Sequence, residues 1–354
     1  MKTNLWIIDS DAPSAHLLLA EAGAAIAAGG TIAFPTETVY GLGADAANTE
    51  AVERLFVAKG RPSDNPLIVH IASKEQVNEL VTEMDATSSR LIEAFWPGPL
   101  ALVLPVKEGA VSPRVTAGLS TVAVRMPDHP IALKLIEAAG CPIAAPSANR
   151  SGRPSPTLAS HVFDDLNGAI DGIVDGGPTG VGVESTVAVV ESGGGRITIL
   201  RPGGVTADEI RRAVPEVEIN TDITQEDENS APRSPGMRYK HYAPQGSLTI
   251  VQGDKSRAKA WARNALSEAR RAGEKTGVLT VTEHTAEFDA DLVIGCGSDK
   301  DMTAAARQLY AALRQFDDAG ITYMVAEGFT STEGIGLAFM NRLHKAAGYQ
   351  VVTV

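Results

Sequence analysis

Short apolar runs alternate with amphipathic segments along most of the chain, a pattern typical of a layered α/β protein. Strand-like runs occupy residues 31–34, 67–71, 100–104, 121–125, 142–145, 172–175, 185–190 and 196–200. Helical patterns separate many of them, near 49–58, 74–82, 86–95, 128–139 and 157–163, and an earlier helix is predicted to be capped by Ser10 and Asp11 and to stop at Gly29 and Gly30. The last two strands flank a glycine-rich turn, which predicts a β-hairpin. Hairpins mixed with βα units favour a twisted, mixed sheet over a purely parallel one.

A polar, acidic stretch at 215–232 interrupts this pattern and predicts an exposed linker. Regularity returns with strands at 248–251, 276–281, 292–294 and 322–326 and with helices at 255–272, 300–319 and 334–347. We therefore predict one domain over 1–213, a linker over 214–246 and a smaller α/β domain over 247–354. The turn at 252–255 lacks the glycine-rich dinucleotide fingerprint, so a cofactor site there has no support.

Composition narrows the class of protein. A chain of 354 residues is expected to form about two domains. No apolar run approaches the roughly 18 to 20 residues that a membrane span needs. The start lacks the long apolar core of a signal peptide. The two cysteines, Cys141 and Cys296, cannot form a disulfide framework or a four-ligand zinc site, and we expect a reducing cytoplasm.

The net charge of the chain argues against a nucleic-acid-binding protein. The net charge is −12, and residues 1–245 hold 19 Lys and Arg against 30 Asp and Glu, a balance of −11. Phosphate neutralisation supplies most of the affinity for nucleic acid, so direct binding to nucleic acid is not expected. Cations that cluster despite this acidic background are candidates for a local anion site.

The densest polar string follows the strand at 31–34. Two hydroxyls, a carboxylate and a phenol crowd between Thr36 and Tyr40, and Gly41 and Gly43 follow. Ligands of open α/β sheets bind where strands give way to loops, which makes this string a candidate site for a small polar ligand. The alternative is an ordinary strand-end turn with Thr36 or Thr38 as a cap.

Cations mark two further strand ends. Lys59 and Arg61 flank a glycine at a predicted helix end, and Asn65 and His70 follow along the next strand. Compensation of the helix dipole accounts for Lys59 alone. Arg125 ends an apolar strand beside a proline, which is costly unless the guanidinium meets an anion. A structural ion pair with an internal carboxylate remains the alternative for Arg125.

Three later segments add hydroxyls and a further arginine. The loop 144–157 presents Ser147, Asn149 and Ser155 between prolines, and such loops can cradle a phosphate or a base. Ser185 and Arg201 lie at the ends of the predicted hairpin and are weak signals singly. The segment 234–244 is basic and aromatic, unlike the acidic stretch before it, and is interpreted as a possible lid. A surface loop and an ordinary interdomain contact are the respective alternatives.

Together these strings resemble the threonylcarbamoyl-AMP synthase family. The matching strings are PTETVYGLG at 35–43, KGRPSDNPL at 59–67, VAVRMP at 122–127, PSAN and SGRPSPT within 146–157, GVESTV at 182–187, LRPG at 200–203 and SPGMRYKHYAP at 234–244. The resemblance covers nearly the whole chain. It implies a YrdC-like catalytic domain, built on a twisted mixed sheet with helices, and a smaller Rossmann-like α/β domain at the C-terminus.

The resemblance also implies a reaction. L-Threonine, bicarbonate or CO2, and ATP would give threonylcarbamoyl-AMP and pyrophosphate, and partner proteins would use the adenylate to modify adenosine in tRNA. It implies no dedicated metal site, since Mg2+ would be held mainly by the ATP phosphates. The alternatives are an RNA-binding module and a carbamoyl-transfer enzyme of the hydrogenase-maturation type.

The resemblance also implies which residues of this sequence bind each substrate, through the positions that match the family's motifs. The residues implied to contact threonine are Thr36, Thr38, Tyr40, His70, Arg125 and Ser185. Those implied to contact ATP are Lys59, Arg61, Asn65, Thr121, Ser147, Asn149, Ser155, Arg201, Tyr239, His241 and Tyr242. Lys59, Arg61 and Arg125 are the expected catalytic residues, because adenylate formation needs aligned reactants and neutralised phosphates rather than a protein nucleophile.

Overall fold

The computed structural model describes residues 2–9, 12–221, 242–298, 301–329 and 334–354. The chain divides into two compact units. Described residues of the first unit are 2–9, 12–151, 156–180 and 184–221, and those of the second are 152–155, 181–183, 242–298, 301–329 and 334–354. Among the described residues, no helix has both the length and the apolar character needed to cross a membrane.

An eleven-stranded sheet forms the centre of the first unit. Its strands are β1 (Asn4–Ile7), β2 (Ile32–Phe34), β3 (Gly41–Asp45), β4 (Ile68–His70), β5 (Leu100–Pro105), β6 (Thr121–Arg125), β7 (Ile143–Ala144), β8 (Gly172–Asp175), β9 (Thr186–Val190), β10 (Arg196–Arg201) and β11 (Glu218–Asn220). Their order across the sheet is β1-β8-β2-β3-β7-β4-β6-β5-β9-β10-β11. Parallel and antiparallel neighbours alternate irregularly, so the predicted mixed sheet is confirmed.

Helices cover this sheet with their apolar faces. They are α1 (Ala15–Ala27), α2 (Thr49–Lys59), α3 (Val77–Leu80), α4 (Ala86–Phe95), α5 (Pro113–Thr116), α6 (Pro130–Ala139), α7 (Ala159–Leu166) and α8 (Ala207–Ala213). One core cluster joins α1 and α6 to the sheet, and a larger cluster includes buried residues of α2, α4 and α7. These cores hold the strand ends in place.

Several elements differ from the sequence predictions. Strand β3 was not predicted, because its string GLGAD lacks the usual strand formers. Its Gly43 is needed for close packing, since a Cβ there would lie 2.7 Å from Ile143 Cγ2. Strand β11 lies beyond residue 213, inside the predicted linker, and pairs in parallel with β10. The predicted helix at 74–82 begins as a 3₁₀ turn over Lys74–Gln76.

The second unit contains a five-stranded sheet, and within its described residues the neighbouring strands pair in parallel. Its elements are β12 (Ser247–Gln252), α9 (Lys255–Arg271), β13 (Thr276–Thr280), β14 (Leu292–Gly295), α10 (Met302–Asp318), β15 (Tyr323–Glu327), α11 (Gly334–Ala346) and β16 (Val351–Thr353). The strand order is β14-β13-β15-β12-β16. A Rossmann-like layered domain was predicted here, and the parallel sheet with its helices confirms it.

Candidate active site

Arg125 is the centre of the first group of site residues. It ends β6, and only 3% of the residue is exposed. Nε donates to the carbonyl of Gly98 at 3.3 Å, and Nη1 donates to Thr38 Oγ1 at 3.0 Å. Nη2 lies 2.6 Å from Glu37 Oε2. The guanidinium is therefore held in a fixed orientation at the end of its strand.

Glu37 faces Arg125 without an aligned hydrogen bond. Neither Glu37 oxygen nor Arg125 Nη2 has a hydrogen-bond partner, although the charges lie close together. The geometry is that of a charge contact in which the N–H bond is not directed at the oxygen. Glu37 was not among the predicted site residues, although its position inside the polar string at 36–40 was a signal.

Thr36 and Thr38 form a compact turn before β3. Thr36 Oγ1 donates to the carbonyl of Val39 at 2.7 Å and accepts from the amide nitrogens of Thr38 and Val39 at 3.2 and 3.3 Å. The hydroxyls of Thr36 and Thr38 lie 2.8 Å apart. Thr36 therefore shapes the turn that presents Thr38 to Arg125.

His70 lies beside Arg125 because β4 and β6 pair in parallel with these two residues in register. It is 4% exposed, and its Nδ1 lies 3.2 Å from the carbonyl oxygen of Ile68. Burial, followed by the positive charge of Arg125, lowers the pKa of His70 to about 3. The imidazole is therefore neutral at physiological pH.

Tyr40 connects the site to the loop after β8 through hydrogen bonds. Its hydroxyl donates to the carbonyl of Gly177 at 2.7 Å and accepts from the amide of Gly176 at 3.3 Å. Burial, followed by the charge of Asp175, raises the pKa of the phenol. The contacts attach the start of β3 to the loop after β8, and they occupy the hydroxyl.

Lys59 is the centre of a second group of site residues. It is 2% exposed, and its Nζ donates to the carbonyls of Ser147 and Asn149, at 2.6 Å for Asn149. Ser147 Oγ in turn donates to Asn149 Oδ1 at 2.5 Å. Burial lowers the pKa of Lys59 well below its usual value, the charge of Arg61 lowers it further, and Asp165 opposes the shift. Lys59 thus holds the loop after β7 in its observed conformation.

Backbone hydrogen bonds connect the group around Arg125 with the group around Lys59. Leu42 N donates to the carbonyl of Pro146 and Ala148 N donates to the carbonyl of Tyr40, each at 2.8 Å. Gly41 and Ser147 form an antiparallel bridge between these bonds. The turn that presents Thr38 and the loop held by Lys59 are therefore directly adjacent.

Ser185 and Arg201 extend the first group across the sheet. Arg201 donates to the carbonyl of Ser185 through Nε at 3.0 Å and Nη2 at 2.9 Å, and to Ser185 Oγ at 3.0 Å. The next residue, Thr186, donates its amide to the carbonyl of Pro99 at 2.9 Å. Ser185 is thus placed near the segment whose Gly98 binds Arg125.

Asn65 and Thr121 lie at the opposite end of their strands. The two strands pair from Ile68 with Ala123 to His70 with Arg125, so Asn65 and Thr121 both precede the paired residues. Asn65 is 1% exposed, and neither its amide nitrogen nor its amide oxygen has a hydrogen-bond partner. Four residues of extended strand separate Thr121 from Arg125, about 13 Å. Such a distance suits an extended ligand rather than an amino acid alone.

The remaining residues predicted to contact ATP differ in their position and in their contacts. Arg61 Nη2 donates to the carbonyl of Pro66 at 3.5 Å, and its guanidinium lies 6.0 Å from the ring centre of Phe56. Ser155 belongs to the second unit and is fully buried. Tyr242, in the same unit, is 6% exposed and lies 5.2 Å from the ring of Tyr310. Residues 234–241 of the predicted lid, with Tyr239 and His241, lie outside the described residues.

Two further polar residues near Glu37 were not predicted. His129 Nδ1 and Thr179 Oγ1 are buried without hydrogen-bond partners. Burial lowers the pKa of His129, and the charge of Glu37 opposes that shift. Gly180, next to Thr179, donates its amide to the Glu37 carbonyl at 3.0 Å. Neither residue stood in a distinctive string, so spacing gave no signal for them.

Comparison with known proteins identifies the family. A family model described as "Telomere recombination" matches residues 24–203, and one described as "Threonylcarbamoyl-AMP synthase, C-terminal domain" matches residues 205–348. The threonylcarbamoyl-AMP synthase of Bacillus subtilis is 48% identical over 99% of this chain and all of its own length. The chain belongs to the threonylcarbamoyl-AMP synthase family. The resemblance seen in the motifs is thereby confirmed.

Other threonylcarbamoyl-AMP synthases agree with this assignment. The Pyrococcus abyssi synthase is 47% identical over 92% of this chain and 93% of its own length. The structure of P. abyssi Sua5 complexed with L-threonine superimposes with a TM-score of 0.90 at 43% identity, covering both chains completely. Escherichia coli YciO, at 24% identity and a TM-score of 0.51, shares the fold of part of the chain.

Proposed function

We propose that this synthase-family chain converts L-threonine, bicarbonate or CO2, and ATP into threonylcarbamoyl-AMP and pyrophosphate, and so acts as a nucleotidyltransferase. The observation that carries the proposal is the buried Arg125 fork beside Thr38 and His70, in a chain whose full-length relative is described in complex with L-threonine. The relatives' common name, threonylcarbamoyl-AMP synthase, supports the same reaction.

The threonine side of the proposed site contains one cation and several neutral groups. Arg125 Nη2 has no aligned acceptor in the protein, so it can donate to a substrate carboxylate. His70 is neutral because its pKa is about 3, so it can hydrogen-bond a hydroxyl without adding charge. Thr38 supplies a hydroxyl 3.0 Å from the guanidinium, and Ser185 is proposed as a further hydroxyl contact. Such a combination favours a small amino acid with a polar side chain.

The proposed reaction needs alignment more than covalent help. The neutral threonine amine adds to CO2 and releases one proton to water to give a carbamate, a carbamate oxygen then attacks the α-phosphorus of ATP, and pyrophosphate leaves. Lys59, Arg61 and Arg201 are the cations proposed to face the phosphates, and the amide of Asn65 is available to the nucleotide. Holding the reactants in a productive orientation contributes on the order of 7–11 kcal/mol in well-aligned systems.

Magnesium is proposed as a companion of ATP. Among the described residues, no group of three or more His, Cys, Asp or Glu side chains could hold a metal ion. We propose that Mg2+ is held mainly by the phosphate oxygens of ATP, as it commonly is in nucleotide sites. When bound, the ion would neutralise charge on the triphosphate. Ser155, Tyr239, His241 and Tyr242 are proposed nucleotide contacts on the motif resemblance alone.

The product points to a place in tRNA modification. A threonylcarbamoyl-adenylate is an activated acyl donor, and we propose that partner proteins transfer its threonylcarbamoyl group to adenosine in tRNA in the cytoplasm. The acidic balance of residues 1–245 supports release of the adenylate to such partners rather than tRNA binding by this chain.

Pyrophosphate release tests the proposal. The purified chain is incubated with ATP and Mg2+, and L-threonine and bicarbonate are omitted singly and together. Release should require both, and L-serine should be a poorer substrate because it lacks the methyl group. Equal release without an amino acid, or equal rates with serine and threonine, would refute the threonine assignment.

A further inference from the structure

The buried carboxylate of Glu37 has more hydrogen-bonding capacity than the protein uses. Its side chain is 12% exposed, and neither of its oxygens accepts a hydrogen bond. Arg125 Nη2 compensates the charge at 2.6 Å but does not direct its N–H at the carboxylate. An ion pair that serves only the fold is expected to direct its N–H bonds at its acceptors, because charged atoms without aligned hydrogen bonds are costly away from water. The pair therefore has the features of a ligand site.

The unused capacity on the two side chains has opposite character. Arg125 Nη2 can still donate a hydrogen bond, and both Glu37 oxygens can still accept one. A zwitterionic amino acid offers the complementary pair, a carboxylate acceptor next to an ammonium group with three N–H donors. The Arg125 side chain is fixed by Gly98 and Thr38, so the substrate can align with a guanidinium that does not need to move.

We propose that Glu37 binds the ammonium group of the amino-acid substrate while Arg125 binds its carboxylate. The inference rests on the proposed function, in which the substrate binds at Arg125, and deepens it by naming the residue that recognises the amine. The Glu37 backbone is held by Gly180, whose amide donates to the Glu37 carbonyl at 3.0 Å. The substrate nitrogen is thereby held in one orientation as the ammonium ion, which must lose one proton before it reacts with CO2, and acids without an amine are rejected.

Calorimetric titration with two ligands tests the proposal. One ligand is L-threonine, and the other is 2,3-dihydroxybutanoate, in which a hydroxyl replaces the ammonium group. Both retain the carboxylate, so any effect on Arg125 applies to both, and the ratio of their dissociation constants reports on the amine alone. Hydrogen bonds between charged groups predict a roughly ten- to hundredfold preference for threonine in the unsubstituted protein.

Glu37→Gln should bring this ratio close to one, whereas the matched control Glu108→Gln, at an exposed turn, should leave it unchanged. Glu37→Asp keeps the charge on a shorter side chain and should retain part of the preference. It also replaces the glutamine variant if that variant does not fold. An unchanged ratio in Glu37→Gln, or in Glu37→Asp where the glutamine variant does not fold, would overturn the proposal while leaving the proposed function intact. Failure of the unsubstituted protein to bind threonine would overturn both.

Discussion

Burial of His70 predicts a specific loss of stability in acid. The pKa of this imidazole is about 3 in the folded protein, against 6.5 for an unperturbed histidine, mainly because burial disfavours the charged form. The unfolded chain therefore binds the proton more tightly than the folded chain does. The destabilisation caused by this proton is absent above pH 6.5, and the free energy of unfolding falls progressively as the pH decreases from 6.5 towards 3. At about pH 5 the loss amounts to about 2 kcal/mol.

Denaturant unfolding of two proteins isolates this effect. The protein and its His70→Gln variant are unfolded at about pH 7.5 and about pH 5, and the change in unfolding free energy between the two conditions is compared. Other histidines with a lowered pKa, such as the partly buried His129, contribute equally to both proteins, so they cancel in the comparison. The protein should lose about 2 kcal/mol more than the variant. Equal losses, or an NMR titration of His70 near its unperturbed pKa, would refute the reasoning.

Three further substitutions test other contacts. Arg125→Lys removes the planar guanidinium with its several N–H donors, and it should lower threonine-dependent kcat/KM by roughly ten- to a hundredfold. The circular dichroism spectrum should be unchanged. Full activity would contradict the proposed carboxylate contact. Tyr40→Phe removes the hydrogen bond to Gly177 and should cost about 1 kcal/mol in denaturant unfolding. Thr206→Ala removes the capping box with Glu209 and should cost about 1 kcal/mol, whereas Thr206→Ser should be neutral. Unaltered stability in the phenylalanine or alanine variant would contradict these local assignments.

The strands that the sequence predicted well are those with strong apolar character. β5, β6 and the β9–β10 hairpin follow short runs rich in Val, Leu, Ile and Ala, and such runs indicate buried strands without tertiary information. β3 escaped prediction because its glycines are selected by close packing against β7. That packing joins residues far apart in the sequence, so no local pattern reveals it.

In the candidate site, too, some features were visible in the local sequence and others depend on the tertiary fold. Strand-end arginines and hydroxyls were recognisable because they are costly or unusual where they stand. Contacts such as Arg125 with Thr38, 87 residues apart, depend on the strand order and cannot be read from spacing. Glu37 was visible inside a polar string, but only its burial opposite Arg125 shows that its charge lacks aligned partners. His129 and Thr179 were recognised by burial alone.

Product analysis with labelled bicarbonate tests the central claim most directly. The chain is incubated with ATP, Mg2+, L-threonine and ¹³C-bicarbonate, and the adenylate is examined at once by mass spectrometry. The account predicts an adenylate whose mass includes threonine, AMP and one carboxyl carbon that carries the label. An unlabelled threonyl-adenylate, or pyrophosphate release with no adenylate that contains the labelled carbon, would contradict it.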